Sequence, residues 1–366
     1  MMNKKILLTG VTIAMMACQP VYALDFGHHK SVEPLYPISP FIVNKGVDSV
    51  YPSVAGDFMV YSTMTLRHAG VARVSKYSPL SAVREVKPMV IDEAIRFGVA
   101  IRDGSVGYVS NRIGPISAWM WRGHGESHVS IASGSVYRGA IIPYHLNASS
   151  DGQVWCFDTP FQKLRQNEML SEYGDHPHFE LIGQLWRTYD YDSFRHKSGY
   201  RSTKTGKSNK FDPPSLFIYN RKSSELTMIP NGFDGAISPD GRKVVFVRET
   251  DGNYDLWMQE IDGGELVQLT DSAFGDFEPA FSSDGDRLLF VSNRDSEGDV
   301  TETSIYMMDL LSNKVTRLTN AKRATDGGPA WMDKEHIVFH SNRDLKKPNS
   351  STISDWNIWQ LNLKQE

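Results

Sequence analysis

The sequence predicts an all-β protein: a six-bladed β-propeller closed by an N-terminal strand that completes the last blade. Three observations support this fold. A two-strand motif recurs along the C-terminal half, an aromatic and an apolar residue recur at a fixed spacing of 12, and the last repeat is one strand short. Repeats of this length are typical of four-stranded propeller blades.

The recurring motif is clearest in residues 233–247, which are echoed 44 positions later by residues 277–291. A weaker third copy begins at Gly328, and its Phe339 lies 49 positions after Phe290. Each copy reads as a strand, an Asp-Gly turn or its equivalent, and a second β-rich strand. The motif therefore predicts the first hairpin of a blade.

The fixed spacing joins an aromatic residue of a predicted third strand to an apolar residue of the fourth. Such a hairpin predicts that each unit has the same geometry and buries its aromatic side chain against a neighbouring blade. The pairs, each 12 positions apart, are Trp119 and Ile131, Phe217 and Ile229, Trp257 and Leu269, and Tyr306 and Leu318.

Residues 24–366 are predicted to form one propeller domain. The last unit ends at its third strand, because a fourth would extend past Glu366. A β-prone segment at residues 40–44 precedes the first blade and is predicted to supply the missing strand, which removes an exposed sheet edge. The predicted blades are approximately 50–90, 91–133, 137–229 with an insertion at 158–214, 232–270, 277–319, and 327–363.

The first 23 residues read as a signal peptide. Lys4 and Lys5 precede an apolar run, and small residues lead up to Ala23. The run is too short to remain as a membrane-spanning helix. Cleavage after Ala23 predicts a periplasmic protein, and the alternative is a lipoprotein cleaved before Cys18 and anchored there. After cleavage at Ala23 only Cys156 remains, in a predicted strand, which favours a buried, inert thiol over a reactive one.

Several short motifs resemble the WD40-like repeats of TolB-like β-propellers. The resemblance is specific over residues 233–363 and weaker over 50–229. It implies the propeller and an exported setting, but not the Tol-Pal role, because too few residues precede the first blade for the α/β domain that TolB carries there. The arginines of its Ser-Asn-Arg triplets are predicted to bridge adjacent blades. The motifs are residues 238–241, 269–270, 318–319, 292–295, 341–344 and the triplet 110–112.

The insertion 158–214 is the candidate ligand-binding segment, because long insertions on a rigid scaffold often carry function; the alternative is a helical flap packed on the propeller. His176 and His178 would project on the same side of an extended segment, yet no third ligand follows at a diagnostic spacing, so no metal is predicted. Residues 195–210 contain six Lys or Arg and no acid. Arg195, Lys197 and Arg201 in this run are candidate contacts for an acidic partner, an acidic glycan or an anionic membrane surface; the alternative is a solvated loop.

The sequence contains no nucleophile elbow, phosphate-binding loop or zinc-protease helix, so no catalytic residue, metal or cofactor is predicted. A net charge of −4 argues against nucleic acid as a partner. The carboxylates of loop 295–299 lack the full spacing of a calcium loop and predict a plain polar hairpin. The predicted function is a monomeric, non-catalytic scaffold that binds an envelope protein, peptide or glycan.

An enzyme is the alternative, as a periplasmic polysaccharide lyase or hydrolase with or without a metal. Clustering of His145, His176 and His178 with carboxylates at one opening of the ring would favour that alternative.

Overall fold

A computed structural model describes most of the chain after residue 34. All the described residues belong to one compact unit, residues 31–366. Within them the structure contains no helix long and apolar enough to cross a membrane. The described residues are 35–64, 69–77, 90–92, 98–110, 117–123, 125–129, 144–159, 215–250, 253–299, 302–320, 324–346, 348 and 353–364.

The described residues form six antiparallel sheets of four strands each, the blades of the predicted propeller. The first five blades follow chain order, and in each the first strand is innermost. They are β2–β5 (Asp48–Ala55, Phe58–Met64, Ala69–Ser75, Val90–Asp92), β6–β9 (Val99–Ala100, Val106–Ser110, Ser117–Trp121, Glu126–His128), β10–β13 (Tyr144–Ala148, Val154–Thr159, Ser215–Asn220, Glu225–Pro230), β14–β17 (Phe233–Ile237, Lys243–Thr250, Asn253–Glu260, Val267–Gln268) and β18–β21 (Asp276–Phe281, Arg287–Ser292, Ser304–Asp309, Val315–Arg317).

The sixth blade joins the two ends of the chain, as predicted. It contains β22 (Asp326–Trp331), β23 (His336–Arg343) and β24 (Ile353–Asn362), and its outermost strand is β1 (Ile38–Ile42). Ser39 lies opposite Gln360, whose side-chain amide donates a 2.9 Å hydrogen bond to the Ser39 hydroxyl. The predicted fold class, a six-bladed propeller closed by an N-terminal strand, is therefore confirmed.

The second strand of each blade is buried on both faces, which explains why these strands have continuous apolar sequences. In β15, Val244 and Phe246 pack in a cluster shared with the third blade. Val245 and Val247, which point the other way, pack in a cluster shared with the fifth and sixth blades. Each blade is thus held by hydrophobic contact on two sides.

The two residues that lie 12 positions apart do not face each other across the hairpin. Trp257 lies opposite Gln268, so Leu269 is one position further along and projects to the other face of the sheet. Trp257 packs towards the third blade, and Leu269 packs towards the fifth. The spacing therefore marks one contact with each neighbouring blade.

The Asp-Gly turns between the first two strands are fixed by a serine. In the fourth blade the Ser238 hydroxyl donates to the Asp240 carboxylate at 2.7 Å and accepts the Lys243 N–H at 2.8 Å. This hydroxyl holds the pKa of the Asp240 carboxyl below its ordinary value. Gly241 has a φ of 73°, a left-handed conformation that glycine adopts without strain.

The arginines of the Ser-Asn-Arg triplets bind within their own blade rather than across blades, which corrects the prediction. Arg294 makes a two-pronged ion pair with Asp276, at 2.7 and 2.9 Å, in the innermost strand of the same sheet. Arg343 does the same with Asp326. The reason is register: each aspartate lies directly opposite the serine of the triplet, two positions before the arginine. Of the triplet at 110–112, residues 111 and 112 lie outside the described residues.

Candidate functional site in the central channel

The six innermost strands surround a central cavity of about 520 Å³. The side chains on its wall between the two ends are mostly small or apolar, such as Ala148, Val54 and Ile237. Ligand sites of proteins are commonly cavities of this size with apolar walls and a few polar groups. The cavity is the candidate site.

A β-bulge interrupts five of the six innermost strands at equivalent positions in the described residues. Four of the bulged residues are not glycine yet have positive φ angles: Tyr51 (51°), His145 (41°), Asp234 (50°) and Glu278 (51°). Gly328 occupies the fifth position with a φ of 52°. Such backbone geometry is costly for residues with a side chain and often occurs at functional sites.

A titratable side chain from the preceding blade accepts the backbone N–H at four of these bulges. Asp158 accepts the Asp234 N–H at 2.7 Å, and Asp234 in turn accepts the Glu278 N–H at 2.7 Å. Glu278 accepts the Gly328 N–H at 2.6 Å. These bonds satisfy backbone donors that the bulges remove from the sheet, so one layer of the channel joins neighbouring blades through carboxylates.

The fourth of these bonds joins the sixth blade to the first. The Tyr51 N–H donates to His340 Nδ1 at 3.2 Å, and His340 is 1% exposed. The imidazole also makes an edge contact with the Tyr51 ring at 4.7 Å between centroids. At the joint of the sixth and first blades, an imidazole therefore accepts the bulge N–H that a carboxylate accepts at the other three joints.

His145 lies in the same layer and forms a close pair with Asp158. Its Nδ1 is 2.5 Å from the Asp158 carboxylate, and the two side chains are 10% and 5% exposed. A carboxylate in this position fixes the orientation of the imidazole, an arrangement also used by general acid–base catalysts. The imidazole of this pair lies on the cavity wall, where it could accept or donate a proton.

Cys156 lies beside this pair but is unsuited to reactivity. Burial raises the pKa of its thiol well above the ordinary value, and the negative charges of Asp158 and Asp234 raise it further. The thiol donates to the Gly235 carbonyl at 3.2 Å. The inert reading of Cys156 fits these surroundings.

Basic side chains from the segments that follow β4, β6 and β22 also line the cavity. They are Lys76, Arg102 and Lys334. Lys334 is 3.5 Å from the Asp284 carboxylate, and the Lys76 ammonium donates to the Met332 carbonyl at 3.4 Å. The cavity wall thus carries carboxylates, an imidazole and cations.

The five predicted ligand-binding residues, His176, His178, Arg195, Lys197 and Arg201, lie outside the described residues and remain predictions. Of the histidine cluster proposed for an enzyme, His145 does lie beside carboxylates at the channel. Among the described residues no three His, Cys, Asp or Glu side chains are grouped to hold a metal ion. In loop 295–299, Asp295 contacts the Tyr306 hydroxyl and the Arg317 guanidinium.

Sequence reasoning missed Asp234 and Glu278, although the repeat contained a signal for them. The two acids occupy the same position of the repeated motif, 44 residues apart. An acid at that position is unexpected in a strand that leads into a hydrophobic core. Aligned acids in the first strands of repeats would therefore have predicted a polar layer in the channel.

Comparisons with known proteins agree with the fold. No family model matches this chain. A TolB homologue of Chlorobium chlorochromatii is 34% identical over 128 residues, which is 33% of this chain and 28% of that protein. The chain has a six-bladed β-propeller fold, and its similarity to this TolB homologue covers a third of its length. An uncharacterised protein of Agrobacterium fabrum is 31% identical over 130 residues, 33% of this chain and 43% of its own length.

The chain matches less than half the length of each of these two relatives. Among solved structures, an oligogalacturonate lyase in complex with manganese has a TM-score of 0.50 at 12% identity. That alignment covers 93% of this chain and 96% of the lyase. At this identity the likeness concerns the fold alone, which is known to host many functions.

Proposed function

We propose that this TolB-like propeller is an exported, non-catalytic binding module whose central cavity accepts part of an envelope protein, peptide or glycan. The observation that carries the proposal is the cavity of about 520 Å³, walled by small residues and bounded by one layer of titratable side chains. Export is part of the proposal and rests on the predicted signal peptide at residues 1–23, with cleavage after Ala23, or a lipid anchor at Cys18 as the alternative.

The carboxylates on the cavity wall favour a ligand with groups that donate hydrogen bonds. Carboxylates accept hydrogen bonds only, so Asp234 and Glu278 would pair with the hydroxyls of a sugar or the N–H groups of a peptide. The apolar wall would pack against the remainder of the ligand. These groups favour a polar ligand over a lipid.

The insertion 158–214 supplies the second contact in this proposal. It follows Asp158, the residue that joins His145 to the Asp234 bulge. A ligand that extends out of the channel would then meet His176, His178 and the basic residues Arg195, Lys197 and Arg201. The cationic run favours an acidic portion of the partner.

Blocking the cavity tests the proposal. Ala148 is half-buried on the cavity wall, and an Ala148→Trp substitution would occupy the space with an indole while leaving every charged group in place. We expect binding to arrays of short peptides and oligosaccharides to weaken about ten-fold or more, which corresponds to roughly 1.4 kcal/mol. The matched control is Leu311→Trp at a turn where the side chain is 96% exposed. Equal binding by Ala148→Trp and the wild type would show that the cavity is not the ligand site.

An enzyme is the second candidate, and the His145–Asp158 pair favours it. A lyase would use a base to remove a proton from a sugar ring while the glycosidic bond to the neighbouring sugar breaks; the ring keeps a carbon–carbon double bond and the departing oxygen takes up a proton. Incubation with acidic polysaccharides, followed by ultraviolet absorbance and a reducing-end assay, separates the two candidates. Product formation that His145→Asn abolishes would favour the enzyme over the binding module.

A further inference from the structure

Four joints between neighbouring blades depend on titratable side chains, and one of them differs in its response to acid. At three joints the acceptor is a carboxylate: Asp158, Asp234 or Glu278. At the joint of the sixth and first blades the acceptor is His340 Nδ1. A carboxyl group keeps an accepting oxygen whether or not it is protonated, whereas a histidine, which ordinarily takes up a proton near pH 6.5, has no acceptor once it is protonated.

Protonation of His340 at Nδ1 removes the acceptor of the hydrogen bond from the Tyr51 N–H. A protonated imidazole has N–H groups at both ring nitrogens and no acceptor. The new Nδ1 proton would then face the Tyr51 N–H, which is 3.2 Å away. A donor opposite a donor is repulsive, and a buried backbone N–H left without an acceptor is destabilising.

The surroundings of His340 leave little room for adjustment. A β-carbon on Gly327 or Gly328 would lie 2.5 or 2.6 Å from an imidazole nitrogen, so the ring lies directly on this backbone. The Tyr51 and Trp356 rings are 4.7 and 5.3 Å away, between centroids. A charged imidazole in this position would lose most of its hydration.

Charged neighbours do not restore the lost bond. Glu278 already accepts the Gly328 N–H, Asp326 is bound by Arg343, and Asp48 accepts the Trp356 N–H at 3.0 Å. A carboxylate that offset the charge of the imidazolium would still leave the Nδ1 proton against the Tyr51 N–H. On the described strands around His340, the other ionisable side chains are Asp276 and Glu278 on β18, Asp326 on β22, His336 and Arg343 on β23, Asp48 and Tyr51 on β2, and Asp355 on β24.

The joint of the third and fourth blades responds in the opposite direction. His145 contacts a carboxylate, so a proton on His145 would convert the contact with Asp158 into a charge-assisted hydrogen bond. Acid therefore strengthens one histidine contact and weakens the other. The loss is confined to the joint of the sixth and first blades, where β2 meets β23.

We propose that closure of the propeller ring is acid-sensitive, with His340 as the switch that loosens the joint of the sixth and first blades. The stabilising bond is complete above about pH 6.5 and is lost as the pH falls below that value, because the folded joint excludes the proton that the unfolded chain accepts. Loosening at this joint would widen the channel without unfolding the other blades. The proposal concerns the fold and is independent of which ligand the cavity accepts.

Amide hydrogen exchange of the full chain at about pH 7.5 and pH 5.5, corrected for intrinsic exchange rates, tests this proposal. In the wild type we expect exchange of β2 and β24 to be about ten-fold faster at the lower pH, while exchange of β14 and β18 becomes no faster. His340→Asn places a carbonyl oxygen near the position of Nδ1 and does not titrate, so the difference between the two pH values should disappear.

His336→Asn is the matched control, because His336 lies on the same strand with its side chain 40% exposed. This variant should keep the wild-type response to pH. Wild-type exchange that is independent of pH at β2 and β24, or that accelerates equally at β14 and β18, would overturn the proposal. A His340→Asn variant that keeps the response would also overturn it, and the wild-type comparison decides the matter if that variant does not fold.

Discussion

Replacing Arg343 with leucine is expected to lower the free energy of unfolding by about 3–5 kcal/mol. The Arg343 and Asp326 side chains are 1% and 0% exposed and form two hydrogen bonds of 2.6 and 2.5 Å. The substitution would leave a buried carboxylate without its cation. The guanidinium also lies over the Phe339 and Trp359 rings, at 5.2 and 5.4 Å, so packing is lost as well. Urea denaturation provides the measurement.

Two further variants distinguish the effect of leaving a buried carboxylate unpaired from the effect of removing any arginine. A double variant, Arg343→Leu with Asp326→Leu, removes both charges and should regain much of the lost stability. Arg242→Leu breaks an exposed pair, with side chains 84% and 61% exposed, and should change stability by less than about 0.5 kcal/mol. A loss for Arg343→Leu no larger than that for Arg242→Leu would contradict the structural role given to the triplet.

The Phe41→Ala substitution is expected to cost about 3–5 kcal/mol, although it lies in a strand of five residues at the edge of the sixth blade. Phe41 is 6% exposed and packs with Tyr61 of the first blade and Ile358 of the sixth. The side chain thus holds β1 in the groove between the two blades that must meet to close the ring. Thermal and urea unfolding would measure the loss.

Leu311→Ala is the control for this prediction, because that side chain is 96% exposed and should contribute less than about 0.5 kcal/mol. If Phe41→Ala is as stable as Leu311→Ala, β1 does not contribute to the closure of the ring.

The scaffold was predictable because every blade must bury both faces of its sheet. That requirement gives β15 and β19 their unbroken apolar runs, and it produces the spacing between Trp257 and Leu269. The closure by β1 was predictable from a missing strand at one end of the chain and a surplus strand at the other. Both inferences rest on local patterns that repeat, which a single sequence can reveal.

The layer of titratable side chains in the channel was not predictable in the same way, because it depends on contacts between residues far apart in sequence. Tyr51 and His340 are 289 positions apart, and Asp158 reaches a bulge 76 positions later. The bulges themselves have no glycine to mark them at Tyr51, His145, Asp234 or Glu278. The triplet arginines were assigned to the wrong partners for a related reason, since the register that brings Arg343 to Asp326 is set by strand pairing.

The measurement that tests the closed ring most directly is a disulfide between the two ends of the chain. Ser39 and Gln360 face each other across β1 and β24, 321 positions apart, with their side chains in hydrogen-bond contact. In a Cys18→Ser background, Ser39→Cys with Gln360→Cys should oxidise readily. It should raise the free energy of unfolding by up to about 5 kcal/mol, because the cross-link closes a very long loop. Pairing of Ser39→Cys with Asn362→Cys, which is out of register, should form no such bond. Failure of the 39–360 pair to oxidise in the folded protein, or equal oxidation of the 39–362 pair, would contradict the closed six-bladed ring.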